Sequence, residues 1–411
     1  MRGLVRLGTL QLMPIAARAT SISVGRLLRQ RRTEMHLSLR EVSGRLKERG
    51  STIPVSTLAR IEQGKHDPGI RRLHQLLRLY RIPPQLAADL VELEDLATEQ
   101  PLGRDLGVLY QEGLEHWRAG DYAKGLAYLF AVRQYVPFDD ASKLLRQRAT
   151  LVFAIQARTL GKFRLAREIV DDLLCEPPDP SIQVNVFVLA ASVWQRLGSL
   201  EMARALVGHA ERWLEERGET STQQAAWVYH QKAKVLLASG RIEDANETLD
   251  RAIALFSVLG DTVGEGLAHI SRVGTREATG DLEEAHARTE EAIAFGEHHG
   301  HPQIAVLGVI ELGRLSIRTG RVTEGVKTLE QALSRALAIG DRHVEFLAHY
   351  HLWKAFTGMP NLDRARVEFE AAKYFVRFTD ESSPEADEVR ELIDKGGIHE
   401  ITGARRTRRS S

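Results

Sequence analysis

The chain has 411 residues, of which 43% are hydrophobic and 27% are charged, and this composition excludes both a disordered polypeptide and a membrane-embedded one. Its length indicates two or three domains, and no uncharged run approaches the roughly 18 apolar residues of a membrane span. Because Cys175 is the only cysteine, no internal disulfide is possible, and we expect a reducing, cytoplasmic location.

The net charge of +1 conceals an asymmetry along the chain. Residues 1–82 contain 17 Lys and Arg against 5 Asp and Glu, a net charge of +12, whereas residues 83–411 carry a net charge of −11. A basic N-terminal part on an acidic body indicates that the N-terminal part alone faces a polyanion. The alternative is an arginine-rich surface that is only solvated.

Residues 1–20 are predicted to be a disordered leader. They contain an early arginine, as a signal peptide does, but Arg6 and Pro14 interrupt the apolar segment. The basic stretch that follows is also unusual for an exported protein, so export is disfavoured. Translation that starts at Met13 is an alternative explanation for this segment.

Residues 21–82 are predicted to form a bundle of short helices. Apolar residues at helical spacing predict a first helix from about Val24 to Met35. Ser38, followed three residues later by Glu41, forms a capping box that predicts the start of a second helix.

The next two helices are predicted from their start and stop signals. A third helix is expected to start near Pro54 and to end at Gly64, in the manner of a left-handed cap. Asp67 and Pro68 predict the N-cap and first residue of a fourth helix. The core is expected to contain Leu58 and Ile61 of the third helix and Ile70, Leu73, Leu76 and Leu77 of the fourth.

This bundle resembles the Cro/C1-repressor (XRE-type) helix-turn-helix. The resemblance implies that the third helix lies in the major groove of DNA. Two features depart from the family pattern: the turn before the third helix is longer, and Leu39 replaces a glutamine that often contacts phosphate. The alternative is a helical bundle without this function. The matching residues are Leu37-Ser38, Glu41-Val42, residues 56–64 (STLARIEQG), Pro68 and Leu73.

The same resemblance implies which side chains meet DNA, although each has an alternative role as a solvated surface residue. The third-helix residues expected to face base edges, next to Pro54, are Val55, Ser56, Thr57 and Arg60. The residues expected to contact the phosphate backbone are Arg40, Arg45, Lys65 and His66.

Residues 105–378 contain seven copies of a unit of about 40 residues. The sixth position of each unit is Ala or Gly, and successive copies are 41, 37, 42, 40, 40 and 40 residues apart. So regular a period predicts a solenoid. The repeated segments are GDYAKG (120–125), GKFRLA (161–166), GSLEMA (198–203), GRIEDA (240–245), GDLEEA (280–285), GRVTEG (320–325) and NLDRA (361–365).

Small residues at two further positions of the unit predict pairs of antiparallel helices that approach closely. The pattern resembles the tetratricopeptide repeat, whose usual period is about 34 residues, so longer helices are expected here. Val273 departs from the small-residue pattern. The small residues are Gly113, Ala154, Ala191, Ala233 and Gly313 at one position and Ala210, Ala252, Ala292 and Ala332 at the other.

The predicted fold is therefore all-α: an N-terminal helix-turn-helix bundle followed by a right-handed tetratricopeptide-repeat solenoid of about seven helix pairs. Residues 83–104 are expected to form a linker helix that starts near Pro84, and residues 379–411 a mobile polar tail.

The first helix of each unit is expected to line a concave wall that binds an extended peptide or a helix. Amide side chains can hold a peptide backbone, and basic side chains can bind its carboxylates. The alternative is a wall that contacts only neighbouring repeats or another copy of the chain. Tyr110, Trp117 and Trp227 occupy the same register. The residues expected to contact the effector are Arg158, Asn185, Gln195, His230, Lys234, Arg314, Tyr350 and Lys354.

No catalytic motif stands out in the sequence, and we expect neither an enzyme nor a bound cofactor. The segment EHHGHP (297–302) contains three histidines, but without ligand spacing on one helix face it is interpreted as a polar loop rather than a metal site.

The function predicted from this architecture is that of a transcriptional regulator. The N-terminal part would bind double-stranded DNA as a homodimer, and the array would sense a peptide or protein effector. The architecture is similar to that of peptide-responsive regulators of Gram-positive bacteria. One alternative is a tetratricopeptide scaffold without operator binding, and another is a regulator of a phosphotransfer partner.

Overall fold

The computed structural model describes residues 23–98, 105–119, 121–135, 137, 139–176, 178–339, 341–359, 361–376 and 383–394. Within these residues the chain is all-α, with twenty helices and no strand. None of the described helices is both long and apolar enough to cross a bilayer. The chain divides into two compact units, Met1–Gln156 and Ala157–Ser411, and the predicted leader lies outside the described residues.

Five helices make up the N-terminal part of the first unit, and they confirm the predicted helical bundle. The first helix packs against the third, fourth and fifth, and the second packs against the third. These helices are α1 (Val24–Glu34), α2 (Leu39–Glu48), α3 (Val55–Glu62), α4 (Gly69–Tyr80) and α5 (Pro84–Thr98).

The predicted signals for α2 and α3 operate as expected. The Glu41 amide donates to Ser38 Oγ at 3.2 Å, and the Ser38 amide donates to the Glu41 carboxylate at 2.7 Å. Gly64, just after α3, has the left-handed φ of +65° that favours glycine. Leu58 and Ile61 are 1% and 3% exposed, so the inward face of α3 is the predicted one.

The fourth helix differs from its prediction in its start and in its buried face. The helix begins at Gly69, whose amide donates to Asp67 Oδ1 at 2.8 Å, and Pro68 takes the N-cap position. Ile70 was expected in the core but is 88% exposed. The prediction was wrong because α4 is buried only through its last turns, at Leu76, Leu77, Leu79 and Tyr80.

The fifth helix starts at Pro84, as expected, and occupies most of the predicted linker 83–104. It packs against α1 and against a repeat helix, α7 (Tyr122–Arg133). The predicted linker therefore lies inside the first compact unit, and residues 99–104 lie outside the described part.

The remaining helices follow one another in pairs through the repeat region. From α10 onward, each first helix packs on the second helix of its own pair and on the first helix of the next. These helices are α6 (Leu106–Arg118), α7, α8 (Asp140–Thr159), α9 (Phe163–Cys175), α10 (Gln183–Arg196), α11 (Leu200–Arg217), α12 (Gln223–Ala238), α13 (Ile242–Leu259), α14 (Thr262–Ala278), α15 (Leu282–His298), α16 (Pro302–Arg318), α17 (Val322–Ile339), α18 (Arg342–Gly358), α19 (Leu362–Phe375) and α20 (Pro384–Asp394).

The turn within five of the pairs depends on a glycine, as the repeated segments predict. In five consecutive units this glycine has φ between +74° and +86°, a backbone conformation that strains any residue with a Cβ atom. These glycines end one helix and direct the chain back along it. They are Gly161, Gly198, Gly240, Gly280 and Gly320.

The small residues of the repeat lie where paired helices approach most closely. Ala191, Ala252 and Ala332 are fully buried. A Cβ atom on Gly313 would lie 2.7 Å from Leu329 Cγ and 3.1 Å from the Gly325 carbonyl oxygen. This confirms the close helix–helix contact that the small-residue pattern predicts.

The helix α20 was not anticipated, since residues 379–411 were expected to form a polar tail. Its Ala386 and Val389 are fully buried and belong to one apolar cluster with Trp353 and Phe369. These two residues are three positions apart, so they share one face of the helix. That narrow apolar face is enough to close the end of the array, although most of α20 is charged.

The tight contact between α1 and α3 leads to a first prediction. A Cβ on Gly25 would lie 2.5 Å from the Ile61 carbonyl oxygen, whereas a Cβ on Gly44 would meet no atom within 4 Å. We expect Gly25→Ala to destabilise the N-terminal bundle by about 1–3 kcal/mol through overpacking. Gly44→Ala should stabilise α2 by about 0.5–1 kcal/mol.

Hydrogen exchange of the α1 and α3 amides in the full chain measures both effects. Faster exchange in Gly25→Ala and unchanged or slower exchange in Gly44→Ala is the expected result. Equal exchange in the two variants would contradict the contact between α1 and α3.

Candidate nucleic-acid interface and first-helix wall

A buried ion pair fixes the third helix of the N-terminal bundle. Arg32 Nε donates to Glu62 Oε1 at 2.7 Å, and Arg32 Nη2 donates to Glu62 Oε2 at 2.9 Å. The remaining Nη1 donates to the Leu37 carbonyl at 2.9 Å. The hydrogen bond to Glu62 raises the pKa of Arg32 above its usual value. This two-pronged pair sets the orientation of α3 relative to α1.

The long turn before α3, which departs from the family pattern, is anchored at both ends. Ile53 in this turn is fully buried, and its carbonyl accepts a hydrogen bond from Ser43 Oγ at 2.7 Å. Ser51 Oγ donates to Gln75 Oε1 of α4 at 2.6 Å. The extra length is therefore held against α2 and α4.

The residues predicted to contact DNA lie on the outer side of this bundle. Val55 is 40% exposed, Ser56 and Arg60 are exposed, and Thr57 is half-buried. The predicted phosphate contacts behave similarly. Arg40, Arg45 and Lys65 are exposed, and His66 is half-buried.

Two arginines of α1 form ion pairs with described residues, whereas the arginine of α3 does not. Arg31 pairs with Glu34, and Arg32 pairs with Glu62. Arg60, by contrast, forms no ion pair with any described residue and projects from the face of α3 opposite Leu58 and Ile61. A cation of this kind keeps its full charge for a phosphate or a guanine edge.

A second candidate surface is formed by α8, α10, α12, α14, α16 and α18, and we call it the first-helix wall. Several of its predicted effector residues join one repeat to the next. Arg158 Nη1 donates to Ser192 Oγ at 3.2 Å. Gln231 Nε2 donates to Gln195 Oε1 at 2.8 Å, and Gln195 Nε2 donates to the Lys234 carbonyl at 3.3 Å.

The imidazole of His230 makes the next connection along the wall. It is 6% exposed, and its Nε2 lies 2.9 Å from Ser271 Oγ on α14. Burial lowers the pKa of His230 to about 3, and the positive charges of Lys234 and Arg158 act in the same direction. His230 is therefore neutral at ordinary pH.

Farther along the wall, the predicted effector residue Arg314 forms ion pairs with carboxylates. Arg314 donates to Glu277 and to Glu311, and Arg318 also pairs with Glu277. These contacts tie α16 to α14. Arg314 is thus half-buried within an ion-pair network rather than facing solvent alone.

The last predicted effector residues meet α20. Tyr350 Oη donates to Glu388 Oε2 at 2.6 Å, and Lys354 Nζ donates to Glu388 Oε1 at 2.8 Å. Although burial acts in the opposite direction, these two hydrogen bonds lower the pKa of Glu388. Burial lowers the pKa of nearby His351 to about 3, helped by the charges of Arg314 and Lys354.

Asn185 is the exception among the predicted effector residues. Its side chain is exposed on α10 and makes no hydrogen bond to any described residue. Trp227 instead donates from Nε1 to Asp261 Oδ2 at 3.1 Å, and Tyr110 and Trp117 lie on α6 in the first unit.

Sequence reasoning missed the partners of these wall residues, although a signal for them was present. Each partner lies 34 to 41 positions away from the predicted residue, which is close to one repeat. A search for polar residues one period apart would have found them. The missed partners are Ser192, Gln231, Ser271, Glu277 and Glu388.

Within the described residues, no group of three or more His, Cys, Asp or Glu side chains is arranged to hold a metal ion. The histidines of segment 297–302 make ring contacts with one another, and His301 Nε2 lies 2.9 Å from Thr262 Oγ1. His298 ends α15, whereas His299 and His301 lie in the turn before α16, where His301 contacts the preceding repeat.

Comparison with known protein families identifies the N-terminal bundle. Residues 23–90 match the family described as "Helix-turn-helix domain". This segment is a helix-turn-helix domain. This domain precedes a tetratricopeptide-like array of helix pairs. Comparison with curated proteins found no match to the chain.

Several solved structures also resemble the chain, at low identity. PlcR of Bacillus thuringiensis, in complex with the peptide PapR7 and DNA, is 14% identical with a TM-score of 0.41, covering 68% of this chain and 96% of its own. A tetratricopeptide-sensor STAND protein of Pyrococcus horikoshii is 14% identical with a TM-score of 0.45, covering 81% and 56%. A tetratricopeptide repeat protein of Parabacteroides merdae is 13% identical with a TM-score of 0.42, covering 70% and 97%.

The buried neutral imidazole of His230 leads to a second prediction. Its pKa is about 3 in the folded chain and about 6.5 when unfolded. Below pH 6.5 the unfolded state therefore binds more protons, so acidification lowers the stability of the array. The expected loss from this residue is about 1.4 kcal/mol per pH unit between roughly pH 6 and 4.

Urea unfolding followed by tryptophan fluorescence at several pH values tests this effect in wild type and His230→Gln. The stability advantage of the wild type should shrink by about 1.4 kcal/mol per pH unit on acidification, because only the wild type carries this imidazole. A difference that stays constant with pH would show that His230 titrates normally.

Proposed function

We propose that the chain is a DNA-binding transcriptional regulator whose tetratricopeptide-like array binds a peptide or protein effector. In this proposal the helix-turn-helix domain acts as a homodimer in the cytoplasm, and the effector changes the affinity of the dimer for its operator. The observation that carries the proposal is the exposed basic surface around α3 of the helix-turn-helix domain, where Arg60 and Lys65 have no ion-pair partner among the described residues.

Two features of the helix-turn-helix domain support DNA binding. The Arg32–Glu62 pair and the close approach at Gly25 hold α3 in one orientation, so its exposed side chains are presented without further ordering. Arg60 and Lys65 are exposed and have no ion-pair partner among the described residues. Such cations bind phosphates with release of counterions, which supplies affinity for any duplex.

The surface of the first-helix wall supports an effector-binding role for the array. Most of the predicted effector residues on this wall join one repeat to the next, but Asn185 does not. Asn185 in particular offers both an amide donor and an amide acceptor, neither used by a described residue. These groups can bind the backbone of an extended peptide.

The proposed contacts of α3 lead to a third prediction, which compares Arg60→Ala with Lys65→Ala. If Arg60 reads a guanine, its loss should cost about 1–3 kcal/mol on the selected operator and little on unrelated DNA. If Lys65 contacts a phosphate, its loss should weaken both duplexes equally and reduce the salt dependence by about one counterion.

The measurement is recovery of duplexes from a random pool by the full chain, followed by titrations of the selected site at several salt concentrations. Uniform recovery of sequences, with affinity insensitive to salt, would leave the scaffold alternative as the better explanation. If Arg60→Ala, like Lys65→Ala, weakened binding to the selected operator and to unrelated DNA equally, the prediction that Arg60 reads a base would be wrong.

A fourth prediction compares the exposed Asn185 with Gln195, which joins α10 to α12. Asn185→Ala should weaken binding of a peptide captured from a random library by about tenfold, the equivalent of one good hydrogen bond. It should leave the melting temperature unchanged. Gln195→Ala should lower the melting temperature, because it breaks two contacts between repeats.

Calorimetry with the captured peptide, in the presence and absence of the selected operator, provides the readout. An effector that regulates DNA binding must have its own affinity changed by DNA by the same factor. Identical peptide affinities with and without operator would make the array a scaffold rather than a sensor.

A further inference from the structure

The helix α3 begins without a capping side chain. Its N-cap residue is Pro54, which makes no side-chain hydrogen bond to the first amides of the helix, whereas α2 begins with a complete capping box. A helix start that lacks a cap leaves its first amides unsatisfied and frays readily. In α3 this uncapped start carries Val55, Ser56 and Thr57, which are expected to face base edges. Their position therefore depends on contacts made outside the helix.

The turn that precedes α3, residues 49–54, is fixed at its beginning by the end of α2. Gly50 has a left-handed φ of +77°, and the Ser51 amide donates to the Leu46 carbonyl at 2.9 Å. This is the long hydrogen bond of a Schellman motif. Beyond it, Ser51 and Ile53 are buried, and the residue that follows each of them is exposed. The turn therefore directs alternate residues into the bundle.

Two side-chain hydrogen bonds hold the rest of the turn, and we call them the turn anchors. Ser43 Oγ on α2 donates to the Ile53 carbonyl at 2.7 Å, and Ser51 Oγ donates to Gln75 Oε1 on α4 at 2.6 Å. Ile53 comes directly before Pro54, so the first anchor fixes the backbone at the point where α3 begins. The second anchor holds the same turn to a different helix.

The two halves of α3 are thus held by different contacts. Leu58 and Ile61 are buried in the core, and Glu62, the last residue of the helix, pairs with Arg32. These contacts hold the second half of α3. The first half relies on the turn anchors, so weakening an anchor would free the start of the helix without releasing its end.

We propose that Ser43, Ser51 and Gln75 are positioning residues for base reading. They hold the start of α3 so that its first side chains meet the base edges in one register. A loosened start would be in its binding-competent position for only a fraction of the time, and operator affinity would fall by that fraction. Phosphate contacts do not depend on base register. This inference rests on the proposed DNA-binding function and adds the residues that set its sequence preference.

The experiment compares Gln75→Leu with Gln75→Glu in the full chain. Each variant is titrated with the selected operator and with an unrelated duplex of equal length, at the same ionic strength. Gln75→Leu removes the acceptor of the Ser51 hydroxyl, so the ratio of the two affinities should fall about threefold to tenfold, the equivalent of one hydrogen bond. Gln75→Glu keeps an acceptor oxygen and should retain the wild-type ratio, although its negative charge lowers the affinity for both duplexes alike.

Two further comparisons separate the anchors from each other and from a general loss of stability. Ser43→Ala removes the other anchor and should lower the ratio by at least as much, because the carbonyl of buried Ile53 loses its partner. Thr33→Ala is the matched control, since the Thr33 hydroxyl donates to the Arg29 carbonyl of its own helix, and it should leave the ratio unchanged. Ser51→Ala combined with Gln75→Leu should lose no more than Gln75→Leu alone, since both changes remove one bond.

The outcomes distinguish this inference from the function on which it rests. If wild type prefers its operator and Gln75→Leu and Ser43→Ala keep the same ratio, the positioning role is wrong and DNA binding stands. An equal loss of affinity for both duplexes would also overturn it, because the anchors would then support only the stability of the domain. If wild type prefers no duplex, the proposed function and this inference fail together. The two variants change different helices, so either one decides the result if the other does not fold.

Discussion

The close approach of paired helices at small residues is the constraint on which the array depends. Ala191, Ala252 and Ala332 have no exposed surface, and Gly313 leaves no room for a Cβ atom beside Leu329. Because the backbones lie this close, the first helices stack in register, one repeat apart. That register is what places Arg158 opposite Ser192 and Arg314 opposite Glu277.

The same register divides the polar groups of the wall between stability and binding. Where a carboxylate lies one repeat away, as Glu277 does from Arg314, the cation forms an ion pair that joins two helices. Where the partner is a hydroxyl, as Ser192 is for Arg158, the positive charge remains.

The helix-turn-helix domain obeys a different constraint, since its third helix must be rigid and yet leave one face unoccupied. The Arg32–Glu62 pair and the Gly25 contact act on the inner side of α3. Buried Ile53 and the bonds of Ser43 and Ser51 hold the long turn that precedes it. The outer side of α3, which includes Arg60, is therefore not needed to hold this helix in place.

The sequence by itself determined the local elements, because their causes are local: the capping box at Ser38, the left-handed glycines and the period of about 40 residues. It also indicated which faces are apolar, although Ile70 is exposed because α4 is buried only through its last turns. Only the tertiary structure decided which polar residues meet. The pairing of Arg314 with Glu277, and of Tyr350 with a helix inside the expected tail, requires side chains 37 and 38 positions apart to be brought together by packing. No interaction within a single helix reaches that far, so the division between structural and unpaired wall residues appears only in three dimensions.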